Sequence, residues 1–317
     1  PTVVNAAGPW VDAVRTLEDP NATAKLQLTK GIHVVFKRER FPVNNSVVMT
    51  TPDKRSIFTC SRGDYVYIGT TDTFYPGKDY CPKIEADDID YLLDVANQYF
   101  DIPPLRHDDI VSVWSGVRPL LGEEGKSPSE ISRKDEILEG KGGVLSMAGG
   151  KLTAYRVMAR KLVDICEARL GRPTTACTTA DEILPGGHLE GSFEEFQQSL
   201  EKTGLGSSDA ERLTRLYGSE AHDVLAAGGD LKAEVEFAVR CEGALNLEDY
   251  WVRRSARARF SDNGGVDSLT PAAEIMSKLL DWSDQERKRQ VEACLAIRDY
   301  EMAAVRKTEN HTEAVTE

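Results

Sequence analysis

The sequence lacks several features that would each assign it to a class of protein. None of its apolar runs approaches the length of a membrane span, and the N-terminus shows no basic start followed by an apolar stretch. Acidic residues outnumber basic ones, and the net charge of −13 argues against nucleic acid as a general partner. The six cysteines form no C-x-x-C pair and the five histidines are dispersed, so we expect no metal site. These absences predict a soluble protein of a reducing compartment.

The chain is long enough for two domains, and its composition changes along its length. At 317 residues, with 40% hydrophobic and 29% charged residues and no fixed-period repeat, it can bury a sizeable core. Strand signals vanish beyond Gly171-Arg-Pro173, and Pro185-Gly-Gly187 is typical of a linker. We therefore predict an α+β fold: an antiparallel-sheet domain over residues 1–180, then a helical domain over 181–317 whose tail after Lys307 is disordered.

Periodicity places the elements within this division. Alternating apolar residues with short links predict an antiparallel sheet in the first part, and capping signals predict helices in the second. Strands are expected at 3–5, 26–30, 32–36, 46–50, 56–60, 64–69 and 110–114, and a hairpin around 131–138. Helices are expected at 10–17, after an N-cap at Asp87, and near 192–203, 208–217, 219–227, 231–242, 247–260, 270–280 and 283–306.

The stretch Leu145-Ser-Met-Ala-Gly-Gly-Lys-Leu-Thr-Ala-Tyr-Arg156 is where strand and helix signals meet most sharply. It predicts a buried strand, a turn at Gly149-Gly150 and a helix whose apolar face includes Leu152 and Tyr155. The start of such a helix presents backbone N–H groups and the positive end of its dipole, which suit an anion, and Lys151 adds a full charge. The alternative is a plain strand-to-helix corner whose glycines serve packing.

Five short motifs occur in a fixed order: Asn5-Ala-Ala-Gly-Pro-Trp10, Lys30-Gly-Ile-His33, Ile68-Gly-Thr-Thr-Asp72, Ser115-Gly-Val-Arg-Pro119 and Gly149-Gly-Lys-Leu-Thr-Ala-Tyr-Arg156. In this combination the chain resembles the FAD-dependent glycerol-3-phosphate dehydrogenases. The helical region with Leu247-Glu-Asp-Tyr-Trp-Val-Arg-Arg254 resembles the C-terminal domain of that family.

The chain departs from the family at its N-terminal side. The G-x-G-x-x-G turn that holds the adenosine diphosphate half of FAD is not in the sequence, and the chain opens at Pro1 without Met. We therefore expect the C-terminal portion of such an enzyme, inactive alone and with FAD absent or weakly bound. The resemblance makes residues 1–180 an antiparallel-sheet substrate domain of the FAD-dependent oxidoreductase type that keeps part of the FAD-binding domain.

The resemblance assigns substrate and cofactor residues. His33 is the expected base for the hydroxyl proton, because a neutral imidazole titrates near the working pH. Arg118 and Arg133 are expected to hold the substrate phosphate, and Lys151 to contact substrate or flavin. The resemblance places the cofactor against Ala7, Gly8, Trp10, Gly116, Gly149, Gly150, Leu152 and Thr153.

Each of these assignments has a structural alternative. Arg118 could form a structural ion pair, Arg133 could be a solvated hairpin arginine, and Lys151 could be merely exposed. His33 could be a hydrogen-bonded sheet residue. Asp72, at the end of a predicted strand, could cap a turn or have a role in the site. The arginines of the segment 253–259 are interpreted as a solvated face, or as a contact to another domain, a subunit or an anionic membrane.

The resemblance implies oxidation of sn-glycerol 3-phosphate to dihydroxyacetone phosphate by hydride transfer to FAD, with a quinone or oxygen as the electron acceptor. We expect a cytoplasmic protein, and the sequence leaves open peripheral contact at the inner membrane and a homodimer. Two other functions stay open: a related flavin-dependent amine or amino-acid oxidase, in which an arginine binds a carboxylate, and a non-catalytic interaction module built on the C-terminal helices.

Overall fold

The computed structural model describes residues 1–52, 55–77, 79–122 and 134–313. The described strands are β1 (Val4–Asn5), β2 (Leu26–Lys37), β3 (Val47–Thr50), β4 (Ser56–Arg62), β5 (Tyr65–Gly69), β6 (Thr73–Phe74), β7 (Ile110–Leu121), β8 (Asp135–Glu139) and β9 (Leu145–Gly149). The helices are α1 (Val11–Glu18), α2 (Ala86–Tyr99), α3 (Tyr155–Arg169), α4 (Phe193–Glu201), α5 (Ser207–Tyr217), α6 (Ala221–Ala226), α7 (Leu231–Arg240), α8 (Leu269–Leu279) and α9 (Asp284–Glu313).

These elements form two compact units, each built from several stretches of chain. The first unit comprises Pro1–Gly31, Thr71–Pro82 and Ser115–Glu182, and the second comprises Ile32–Thr70, Lys83–Trp114 and Ile183–Glu317. Strands β2 and β7 therefore each pass from one unit into the other along the chain. The antiparallel strands β3, β4 and β5, which the sequence assigned to a first domain, belong with the C-terminal helices.

The first unit contains a three-stranded sheet in the order β1-β9-β8. Strand β1 runs parallel to β9, with Val4 opposite Leu145, and β8 pairs antiparallel on the other side of β9. Helix α3 packs against this sheet, where Leu145, Met147 and Leu162 form a small buried cluster. The first half of β2 pairs with β6 in the same unit.

The second unit has an antiparallel sheet in the order β3-β4-β5-β2. Its alternation buries one face, on which Val34 and Ile68 lie opposite each other, and helix α2 covers that face with Ile89 and Leu92. Helix α9 completes the same core with Met302 and Val305. This return of α9 explains why the sheet and the C-terminal helices form one unit.

The remaining helices of the second unit bury two further clusters. Trp251 and Tyr250, in a π-helical segment Asp249–Arg254, are enclosed by α7 and α8, and Phe196 and Leu200 of α4 pack with α5. Helix α4 begins with the predicted capping box, in which Ser192 Oγ accepts from Glu195 N at 3.1 Å. The α+β class, with an antiparallel sheet and a helical C-terminal region, is confirmed.

Several boundaries differ from those that the sequence predicted. Strand β2 runs through Gly31 without interruption, because both of its halves find pairing partners. Strand β7 continues to Leu121, and the N-cap of α2 is Glu85 rather than Asp87.

The helix expected at 247–260 ends after the π-helical segment, because Ala256 adopts a positive φ of 54°. Helix α9 extends past the predicted start of the disordered tail. The first half of the predicted hairpin lies outside the described residues.

Candidate functional site

The two glycines of the central turn in the first unit are required by its geometry. Gly149 and Gly150 have φ angles of +70° and +86°, which other residues rarely adopt. A Cβ on Gly149 would lie 2.4 Å from the carbonyl oxygen of Lys134. The Gly150 N–H donates to that oxygen at 3.0 Å. The two glycines therefore serve the packing of this corner, as the alternative interpretation predicts. The Gly150 N–H is already hydrogen-bonded to the Lys134 carbonyl oxygen.

Free N–H groups occur just after the glycines. A 3₁₀ turn, Leu152–Ala154, precedes α3, so the helix begins at Tyr155, later than predicted. Among the described residues, the N–H groups of Lys151, Leu152 and Thr153 have no backbone or side-chain acceptor. Three consecutive unpaired donors beside an exposed lysine are an electropositive feature suited to an anion.

The predicted apolar face of α3 is only partly correct. Leu162 is buried, but Leu152 is 89% and Tyr155 61% exposed. Because Leu152 lies in the 3₁₀ turn and not in α3, the helical spacing that predicted its burial does not apply. Exposed apolar side chains beside unpaired N–H groups are typical of a surface that receives a ligand with polar and apolar parts.

The N-terminal turn of the first unit packs beside this strand. Asn5 is 4% exposed, and its Nδ2 donates to Val11 O and to Ser146 Oγ, both at 3.0 Å. These bonds fix the turn that contains Ala7 and Gly8 against β9. Trp10 ends the turn with 43% of its surface exposed, and its ring lies 6.4 Å from that of Tyr80. The structure thus brings the Ala7–Trp10 turn and strand β9 together.

Arg118 lies on β7 in the first unit and has internal partners. Its Nη1 donates to Thr71 O at 3.2 Å and to Asp72 Oδ1 at 3.3 Å. Both distances are at the long end for such bonds, and the side chain is 24% exposed. Asp72 therefore orients the guanidinium, and the predicted ion-pair alternative is present in the structure. Gly116, on the same strand, has open space where a Cβ would be. Arg133 lies outside the described residues.

His33 lies in the second unit, half-buried at the point where β2 faces Gly69 of β5. Its imidazole stacks on Trp114, with ring centroids 4.8 Å apart and planes at 12°. Tyr67 contacts it edge-on at 6.0 Å. Trp114 was not among the predicted site residues, although it directly precedes the Ser115-Gly-Val-Arg-Pro119 motif.

The arginines of the segment 253–259 are paired within the second unit. Arg257 and Arg212 both contact Glu234, which is buried, and Arg254 donates to the carbonyl oxygen of Glu242. Arg253 pairs with Glu248 and Asp249, and Arg259 pairs with Glu301. Each of these arginines therefore has a partner within the second unit.

Two family models match the chain. The model described as "FAD dependent oxidoreductase" matches residues 1–156, and "C-terminal domain of alpha-glycerophosphate oxidase" matches residues 177–287. The aerobic glycerol-3-phosphate dehydrogenase of Staphylococcus aureus (strain USA300) is 39% identical over 303 residues. That match covers 89% of this chain and 54% of the relative, so the chain spans about half the length of the curated relatives it matches.

A solved structure has a similar fold. The glycerol-3-phosphate dehydrogenase from Bacillus halodurans, complexed with FAD, superposes with a TM-score of 0.79 at 32% identity. The superposition covers 96% of this chain and 63% of that one.

Proposed function

We propose, on the premise that this chain belongs to the FAD-dependent glycerol-3-phosphate dehydrogenases, that the protein containing it oxidises sn-glycerol 3-phosphate to dihydroxyacetone phosphate. The observation that carries the proposal is the similarity to relatives of that name along nearly the whole chain. The unpaired N–H groups of residues 151–153 and the oriented guanidinium of Arg118 support it.

The first unit has residues that fit part of an FAD molecule. The N–H groups of Lys151, Leu152 and Thr153 suit the electron-rich edge of a flavin. Gly149 keeps the turn before them compact, because a Cβ at this position would collide with the carbonyl oxygen of Lys134. The residues proposed to hold the cofactor are Ala7, Gly8, Trp10, Gly116, Gly149, Gly150, Leu152 and Thr153. When bound, FAD supplies the acceptor for the hydride that leaves C2 of the substrate.

The side chains proposed to act on the substrate divide into a base and phosphate ligands. The neutral imidazole of His33 receives the proton of the C2 hydroxyl as that carbon loses its hydride. Arg118 and Arg133 donate charge-assisted hydrogen bonds to the phosphate, and Lys151 adds positive charge. Asp72 holds Arg118 in position, as its hydrogen bond indicates.

Replacing Arg118 with Ala in the protein expressed from its complete gene tests this proposal. Loss of a charge-assisted contact to phosphate should raise the KM for glycerol 3-phosphate roughly 10- to 100-fold. Asp72→Asn is the matched variant, because it removes the ion pair and keeps the arginine. If both variants leave KM and kcat unchanged and only lower the melting temperature, Arg118 has a structural role and the assignment is wrong.

The alternative substrates are an amine or an amino acid, for which one arginine would bind a carboxylate. Competition by inorganic phosphate separates these substrates from a phosphate ester. Inhibition that is competitive with glycerol 3-phosphate supports the phosphate ester, and oxidation of amino acids without such inhibition contradicts it.

The electron acceptor and cellular location are further proposals. We propose a quinone or oxygen as acceptor, and a cytoplasmic homodimer that contacts the inner membrane peripherally. Within the described residues, no helix combines the length and apolar content needed to cross a bilayer. Cell fractionation and oxygen-uptake assays with and without a soluble quinone test these points.

A further inference from the structure

The surroundings of His33 in the second unit show how its ring is held. Gly69 of β5 lies directly opposite His33 of β2, and a Cβ on Gly69 would fall 2.2 Å from His33 Cδ2. The imidazole therefore occupies the space that a side chain on β5 would otherwise fill. Because Trp114 stacks on the ring at 4.8 Å and 12°, an added methyl group at Gly69 cannot be accommodated without displacing the imidazole from the indole.

Trp114 is itself held by residues that follow the π-helical segment. Phe260 meets the indole edge-on at 6.0 Å, and the Arg259 guanidinium lies 5.9 Å from its centroid. The backbone is connected as well, since Ser112 Oγ donates to Arg259 O at 2.8 Å. The indole is thus fixed against a segment distant in sequence.

A buried ion pair fixes Arg259. Arg259 Nη2 donates to Glu301 Oε1 at 2.6 Å, and Nη1 donates to the other carboxylate oxygen. Glu301 is 2% exposed and belongs to α9, the helix that completes the sheet core. A bidentate pair of this kind sets both the distance and the plane of the guanidinium.

We propose that Trp114 and Gly69 are positioning residues for His33, with Arg259 and Glu301 supporting Trp114 from the C-terminal helices. This inference rests on the proposed role of His33 as the base. Proton transfer requires the imidazole nitrogen at a fixed position, and one stacked orientation excludes the other rotamers that a half-buried ring could adopt. The C-terminal helical region thereby contributes to placing the base.

The test compares Gly69→Ala, Trp114→Leu and Trp114→Phe. Isotope-labelled protein allows the ring protons of His33 to be followed by NMR, where stacking on an indole shifts them upfield. Gly69→Ala and Trp114→Leu should remove that shift, and Trp114→Phe, which keeps an aromatic ring, should retain part of it. Gly206→Ala and Trp282→Phe are the controls, because Gly206 has open space at its Cβ and Trp282 packs in another cluster of the same unit.

Kinetics of the protein from its complete gene supply the second measurement. We expect kcat to fall roughly tenfold or more in Gly69→Ala and Trp114→Leu while KM changes little, with partial recovery in Trp114→Phe. Unchanged His33 resonances together with a reduced kcat would contradict the positioning role of Gly69 and Trp114, and would leave the role of His33 as base intact. Shifted resonances with an unchanged kcat would contradict the role of His33 as base, and the catalytic meaning of its position with it.

Discussion

At the scale of single residues, the glycines of this chain have different physical roles. Gly149 adopts a positive φ and lies against a backbone carbonyl, whereas Gly116 has neither constraint. Gly69 does not have a positive φ, but a side chain there would meet an imidazole. The sequence identifies all of these positions as glycine and does not separate the three roles.

We predict that Gly149→Ala destabilises the protein and that Gly116→Ala does not. The new methyl group would meet the Lys134 carbonyl oxygen 2.4 Å away in a conformation unfavourable for alanine. The expected loss in the free energy of unfolding is about 2–4 kcal/mol, against a change within about 0.5 kcal/mol for Gly116→Ala. Denaturant titrations followed by circular dichroism measure both. Equal midpoints for the two variants would show that the turn relaxes without cost.

Glu242 provides a prediction about pH. Burial raises the pKa of its carboxyl above the usual 4.5, although Arg254 opposes the shift, and its Oε2 is buried without a partner among the described residues. The folded state then holds this proton more tightly than the unfolded state does. Stability from this group is complete at low pH and is lost as pH rises from the unfolded pKa through the higher folded one.

Replacement of Glu242 by Gln removes that loss. The melting temperature of Glu242→Gln should exceed that of the parent by about 1–3 °C at neutral pH, and the gain should disappear below about pH 4. Glu292→Gln is the control, because Glu292 is an exposed partner of Lys288. A gain of equal size at both pH values would contradict a titration of Glu242.

At the scale of elements, helix α9 packs against the sheet of the second unit, although the two are far apart in sequence. Val305 is 2% exposed and lies in the cluster that contains Ile32 and Leu92. The amphipathic pattern of residues 283–306 predicts the helix but not its partner, because periodicity reports a buried face and not what buries it.

We predict that Val305→Ala lowers the free energy of unfolding by about 1.5–2.5 kcal/mol, through the lost methyl groups and the cavity they leave. Val163→Ala is the matched control, since Val163 on α3 is 54% exposed. Its substitution should change stability by less than about 0.5 kcal/mol. Thermal unfolding monitored at aromatic wavelengths and in the far ultraviolet measures both, and equal effects would show that α9 does not seal the sheet core.

At the scale of the whole molecule, local patterns predict more of the fold than of the candidate site. Alternation and capping signals place most strands and helices, and motif order indicates the family. The stack of Trp114 on His33 and the pair of Arg259 with Glu301 were not predicted, because they join residues far apart in sequence. The unpaired N–H groups of residues 151–153 depend on where a 3₁₀ turn gives way to a helix, which sequence patterns define to within a few residues only.

The second unit is built from separate stretches of the chain, and this affects the order in which its parts are synthesised. Its first stretch begins at Ile32, yet Val305, which completes its core, and Glu301, which pairs with Arg259, are made much later. Strands β3 to β5 therefore leave the ribosome long before α9, which completes the core that α2 covers in part. Until α9 arrives, the nascent sheet keeps an apolar surface exposed, and chaperone binding to this stage of synthesis is the expected protection.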